Sequence, residues 1–140
     1  MDIYIGAAAI SDYRPEDAPQ KIKKHSDRLL LEMSKSQDLL ATIAALPKPP
    51  FTVGFAAETE RLEEYARQKL ERKHLDMIVA NLVGARLGFD EDDNSAMVLW
   101  RNGAEELSRM SKLELARQII RVIATRYRAA RAPRVVSFGI

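Results

Sequence analysis

Three near-continuous apolar runs constrain this chain more than any other feature: "DIYIGAAAI" (residues 2–10), "FTVGFAAE" (51–58) and "LDMIVANLV" (75–83). None alternates apolar with polar, as a half-solvated strand would. A strand of this kind is covered on both faces, which is the habit of parallel sheets sandwiched between helices. The first run therefore reads as a central strand. Because it begins at residue 2, part of the sheet beside it is expected to lie outside this chain, which would be the C-terminal portion of a larger domain.

Between the runs lie segments with helical spacing. "SKSQDLLATIAALP" reads as a helix capped by Ser36 and stopped near Pro47. "ETERLEEYARQKLERKHL" is amphipathic, with Leu62, Tyr65, Ala66 and Leu70 on one face. Its acidic start and basic end suit the helix dipole. "SAMVLW" and "AEELSR" around "RNG" predict a hairpin. "SKLELARQIIRVIATRY" opens with a capping box, Ser111 with Glu114, and continues in a stripe of Leu113, Ala116, Ile120, Ile123 and Tyr127. "KIKK" and "RLLLEM" flank the polar "HSD" and predict a β-hairpin or flap. "GARLGFDEDDNS" reads as a loop. The fold class is α/β: a Rossmann-like, mostly parallel sheet with flanking helices and a hairpin flap. One domain spans residues 1–128, and residues 129–140 lack periodicity and read as a tail or an expression remnant.

Charge and composition narrow the function. The chain of 140 residues has 22 basic and 20 acidic side chains, a net charge of +2. Its pI near 9.0 suits a small anionic ligand better than nucleic acid, which needs a concentrated basic face. With no cysteine, disulfides, thiol catalysis and thiolate zinc sites are excluded, in keeping with an intracellular, cytoplasmic protein. No apolar run approaches the roughly 20 residues of a membrane span, and the first residues lack the basic leader of a signal peptide. No nucleic-acid or membrane partner is expected.

In open α/β sheets ligands sit outside the carboxyl ends of the strands. Asp12 follows the first strand, Phe55 lies near the end of the second and Asn81 at the end of the third, so the three are expected to converge on one crevice. Taken singly, each has a commoner structural role: turn residue, core aromatic, local backbone partner. Lys21, Lys23 and Lys24 lie on the candidate flap, where they would close over phosphates or simply protect an edge strand. Lys69 and Lys73 are one helical turn apart and project together, toward a phosphate or into solvent. The start of the helix at residues 36–40 offers free amides, as every helix does. "DEDDN" (90–94) lacks the turn glycine and closing Glu of a calcium loop and reads as a solvated turn. His25 and His74 are isolated, and no GxGxxG, P-loop or GxSxG motif occurs.

Several motifs in order, "AAAISDYRP…KIKK", "GFAAET…EEYARQKLERKHLDMIVAN" and a later "GF…N", resemble phosphopantothenoylcysteine synthetase over residues 3 to about 128. This is the ligase half of the bacterial bifunctional coenzyme A biosynthesis protein. The resemblance implies a two-step ligase. The carboxylate of 4′-phosphopantothenate attacks CTP to give an acyl-cytidylate and pyrophosphate, and the amine of cysteine then displaces CMP. Magnesium or another divalent cation would accompany CTP, and the full-length protein would be a homo-oligomer. Carried over by position, the nucleotide site falls on Gly6, Ala7, Ala8, Asp12, Lys21, Gln37, Asp38, Leu39, Leu40, Phe55, Lys69 and Lys73. Lys21 is the residue linked to forming the cytidylate; no metal ligands are assigned. Leu82 stands after Asn81 where the family commonly has an acid, and Gln37 replaces a frequent proline. The family's N-terminal half, with its glycine-rich opening and asparagine-bearing loop, has no counterpart in this chain. Two other readings remain: a nucleotide-binding module without catalysis, and a nucleic-acid-binding protein using "RYRAARAPR".

Overall fold

The computed structural model describes residues 1–8, 10–17, 30–82 and 93–132. In chain order these form β1 (Ile3–Gly6), β2 (Tyr13–Pro15), β3 (Met33–Lys35), α1 (Leu39–Ala44), β4 (Phe51–Glu58) and α2 (Leu62–Arg72). Then come β5 (Met77–Leu82), β6 (Asp93–Trp100), β7 (Gly103–Ser111) and α3 (Lys112–Arg131). One sheet has the order β1-β4-β5-β6-β7, and β2 with β3 forms a separate antiparallel pair. β1, β4 and β5 are parallel, whereas β6 runs against both of its neighbours, so four of the five strands share a direction. The fold is α/β and mostly parallel, as the continuous apolar runs predict.

Alternation across β5 divides the core into two halves. Met77 and Val79 face one side, packing with Val53, Val98 and the α3 residues Leu115, Ile119, Val122 and Ile123. Ile78 and Ala80 face the other, with Ala56, Leu99 and the α2 residues Ala66 and Leu70. Fully buried side chains such as Met77 and Ile78 each contribute about 1.5–3 kcal/mol over an exposed position.

Among the described residues β1 pairs on one side only, with β4, and its other side is open, with Ile5 40% exposed. It is also short: after Gly6 the chain leaves the sheet. On α3 the predicted stripe is out of phase, with Leu113 and Ile120 64% and 54% exposed and Ala116 exposed too. The helix starts directly after β7, and its Ser111 cap, accepting from Glu114 N–H at 3.3 Å, sets the phase. That phase turns Leu115, Ile119, Val122 and Ile123 inward, leaving Ile123 and the half-buried Tyr127 as the shared members. α3 also runs to Arg131, past the boundary expected at 128. The expected flap lies mainly outside the described residues. The described pairing is of Tyr13, Arg14 and Pro15 with Lys35, Ser34 and Met33, farther out than "KIKK" and "RLLLEM" place it. The loop at 83–92 and residues 133–140 also lie outside the described residues.

The parallel register sets Gly6 beside Gly54. A Cβ at Gly54 would stand 2.8 Å from Leu75 Cδ1 and 2.9 Å from Leu40 Cδ2, and one at Gly6 would touch Leu40 Cδ1 at 3.4 Å. The paired glycines thus form a flat seat for Leu40, which draws the first turn of α1 onto the strand ends. Gly54→Ala is expected to overpack this seat and to cost about 1–3 kcal/mol of stability, read as a lower urea midpoint at unchanged m-value.

Candidate functional site

A cleft of about 880 Å³ opens where the carboxyl ends of β1 and β4 meet the start of α1. Its walls include Gly6, Ala7, Ala8, Asp12, Gln37, Asp38, Leu39, Leu40, Phe55 and Lys73. These are ten of the twelve residues expected at a nucleotide site, gathered from four separate stretches of sequence. Lys21 lies outside the described residues. Lys69 does not line this cleft but a smaller neighbouring cavity of about 410 Å³, with Glu58, Tyr65 and Gln68. Asn81 lines neither: it sits on β5 opposite Ala57, one strand farther from the β1–β4 ends than Phe55.

Phe55 is one of three aromatics lining the cleft among the described residues, with Tyr4 and Tyr13. Its neighbours Gly54 and Ala56 are buried, yet Phe55 itself is 41% exposed in mid-strand. A core role would have hidden it, so the common reading of a strand-end Phe does not apply here. Asp12 lies in the turn between β1 and β2, where its carbonyl accepts Ser36 N–H at 2.8 Å and so ties the two walls together.

The first turn of α1 is capped by Asp38, not by Ser36. Asp38 Oδ1 accepts Ala41 N–H at 3.1 Å, the third helical amide, in the usual N-cap geometry. Its other oxygen, Oδ2, is 2.8 Å from Lys73 Nζ, so one carboxylate joins the start of α1 to the end of α2. Lys69 Nζ is likewise held by Glu58 Oε1 at 2.6 Å. Spacing alone left these lysines between phosphate and solvent, and the structure gives each a carboxylate partner.

The end of α2 is closed by backbone hydrogen bonds. Leu75 N–H donates to Leu70 C=O at 3.0 Å and His74 N–H to Glu71 C=O at 3.1 Å, with His74 left-handed at φ 54°. This is a Schellman closure with histidine where glycine is usual, and its apolar pair is the buried Leu70 and Leu75. The basic turn is therefore fixed in direction. Lys35 and Arg72 also line the cleft and were not singled out from sequence. For Arg72 a signal existed: it stands three residues after Lys69 and one before Lys73, on their helix face. Among the described residues no group of three His, Cys, Asp or Glu is placed to hold a metal ion, and no helix is long and apolar enough to cross a membrane.

A family model described as the DNA/pantothenate metabolism flavoprotein C-terminal domain matches residues 1–127. The chain is 46% identical over 127 residues to the coenzyme A biosynthesis bifunctional protein CoaBC of Haemophilus influenzae, covering 89% of this chain and 32% of that protein. To its counterpart in Escherichia coli K12 it is 45% identical over 133 residues, 91% of this chain and 33% of the relative. To that of Bacillus subtilis it is 40% identical over 126 residues, 88% and 31%. The chain thus spans about a third of the length of these relatives. Among solved structures, the C-terminal domain of CoaBC aligns with a TM-score of 0.70 at 31% identity, over 91% of this chain and 56% of that one. The DNA/pantothenate metabolism flavoprotein of Streptococcus pneumoniae aligns at 0.64 and 20% identity, over 90% and 61%, which bears on the fold alone.

The double engagement of Asp38 has a pH signature. Partial desolvation pushes its carboxyl up. The hydrogen bonds from Lys73 and Ala41 N–H, with the charges of Lys73 and Arg72, outweigh this and hold it below 3.8. A depressed carboxyl stabilises the fold fully above its unfolded value, and the contribution fades as pH falls through the folded value. Asp38→Asn keeps a capping side chain and removes the charge. Its stability deficit in urea is expected to be full at about pH 7 and to shrink as pH falls and the Asp38 carboxyl of the parent takes up its proton. A deficit that does not shrink would show that the charge contributes nothing.

Proposed function

The chain belongs to the family of the DNA/pantothenate metabolism flavoprotein C-terminal domain, and from that premise we propose that it carries the nucleotide-binding part of a CTP-dependent ligase. The reaction joins 4′-phosphopantothenate to cysteine in coenzyme A biosynthesis, the process named for the CoaBC relatives. The observation that carries the reading is Phe55, an aromatic face open to a cleft that also holds Lys73 and Arg72. A stacking surface beside cations is what a nucleotide with a phosphate tail requires.

The chemistry follows from the resemblance and suits the cleft. A carboxylate oxygen of 4′-phosphopantothenate bonds to the α-phosphorus of CTP, and the bond from that phosphorus to the bridging oxygen breaks, releasing pyrophosphate. The amine of cysteine then bonds to the acyl carbon, the carbon–oxygen bond to CMP breaks, and the amine gives up a proton. Both steps need placement and charge stabilisation more than a protein nucleophile. Gly6, Ala7 and Ala8 would let the nucleotide approach the backbone, Phe55 would stack on the base, and Lys73 and Lys21 would meet phosphate oxygens. A divalent cation fits as a companion of the phosphates. Of the two carboxylates that line the cleft among the described residues, Asp38 is committed to Lys73 and Ala41 N–H and Asp12 has no side-chain partner among those residues, so phosphate and water would supply most ligands.

Titration of the chain with magnesium CTP in a calorimeter, with ATP, GTP and UTP as controls, is expected to show saturable binding selective for CTP. Phe55→Ala should weaken it about tenfold or more, the usual worth of a base–aromatic stack. Lys21→Ala should leave most of the binding but abolish 4′-phosphopantothenate-dependent exchange of pyrophosphate into CTP, measured on the full-length protein. A folded chain that binds all four nucleotides equally, or an undiminished exchange in Lys21→Ala, would overturn the respective assignment.

A further inference from the structure

Arg72 differs from the two lysines that share its face of α2 in having no partner among the described residues. Lys69 is paired with Glu58 and Lys73 with Asp38, whereas the Arg72 guanidinium makes no hydrogen bond or ion pair among the described residues. It is also the side chain that lines both the main cleft and the neighbouring cavity that contains Lys69. Its charge is felt by Asp38 on the opposite wall, which sets it near the start of α1. The Schellman closure behind it holds the turn in place.

We propose that Arg72 binds phosphate, bridging the two cavities so that the polyphosphate tail of a nucleotide passes from the main cleft toward Lys69. The guanidinium fork matches two phosphate oxygens at once, which an ammonium cannot do. Nor does Arg72 have to give up a partner from the described residues on contact, whereas Lys73 must release Asp38, and Lys69 must release Glu58, before either is fully free for an anion. Arg72 is therefore the first cation of this turn to meet the phosphates, and the lysines follow by exchanging carboxylate for phosphate. The inference takes the identity of the ligand's base from the function proposed above, but its phosphate contact stands apart from that reading.

The test is calorimetric titration of the chain with inorganic pyrophosphate and, separately, with magnesium CTP. It compares the parent with Arg72→Ala, Arg72→Lys and Arg67→Ala. Arg67 is paired with Glu63 and lines neither cavity, so its loss reports the general effect of one positive charge on α2. Arg72→Ala is expected to weaken both ligands by about tenfold or more, in line with a charge-assisted pair, while Arg67→Ala shifts neither by more than about twofold. Arg72→Lys keeps the charge without the fork and is expected to fall between. Arg72 is exposed and alanine favours helix, so thermal melting of the variant should match the parent. Pyrophosphate affinity unchanged in Arg72→Ala, or lowered equally in Arg67→Ala, overturns the proposal and leaves the nucleotide reading intact. Arg72-dependent pyrophosphate binding with CTP held no more tightly than pyrophosphate supports the proposal and overturns the nucleotide reading. A folded parent that binds neither ligand overturns both.

Discussion

The parallel pairing of β1 with β4 is the constraint on which the cleft depends. Its register puts two glycines side by side at the carboxyl edge, and the missing side chains are what let Leu40 settle against the strands. From that one contact the rest follows in order. The first turn of α1 is drawn to the strand ends, Asp38 comes to its N-cap, and its second oxygen meets Lys73 on α2. A helix of six residues has little stability of its own, so its position is set by this seat and this ion pair.

Electrostatically the cleft is self-complementary in this form. Two of the basic side chains of α2 already have carboxylate partners at 2.6 and 2.8 Å, so an entering anion competes with acids of the protein and not only with water. Such pairs hold long, flexible lysines in one orientation, and they lower the net attraction an anion feels from a distance. With Glu58 12% and Lys73 24% exposed, these pairs are only partly open to water, so an entering phosphate has to replace the carboxylate it displaces.

Much of this was legible in the sequence, for definite reasons. Continuous apolar runs named the parallel strands, because a two-sided burial leaves no polar alternation in "MIVANL" or "FTVG". The meeting of Asp12 and Phe55 followed from the rule that ligands lie beyond strand ends, whereas Asn81, expected with them by the same rule, lines neither cavity. The phase of α3 escaped because apolar residues at 113, 115, 116, 119, 120, 122 and 123 support two overlapping stripes, and only the abrupt turn from β7 selects between them. The cap was expected at Ser36 but is Asp38, two residues later, where the helix begins. The carboxylates that hold the two lysines come from other elements, at separations of 11 and 35 residues that no local spacing rule reaches.

The two-sided core has a further consequence. The described residues assigned to the cleft lie at the strand ends or on the side of α1 and α2, while the cluster of Val53, Met77, Val79 and Val98 packs beneath α3 on the opposite side. The α3 side can therefore drift in sequence, exchanging one aliphatic for another of similar volume, without disturbing the chemistry across the sheet. The α2 side has less latitude where Ala56, Ala66 and Ala80 sit among its leucines and Ile78. There an added methyl group would lift the helix that carries the cations, so inheritance of function is written in small residues as much as in charged ones.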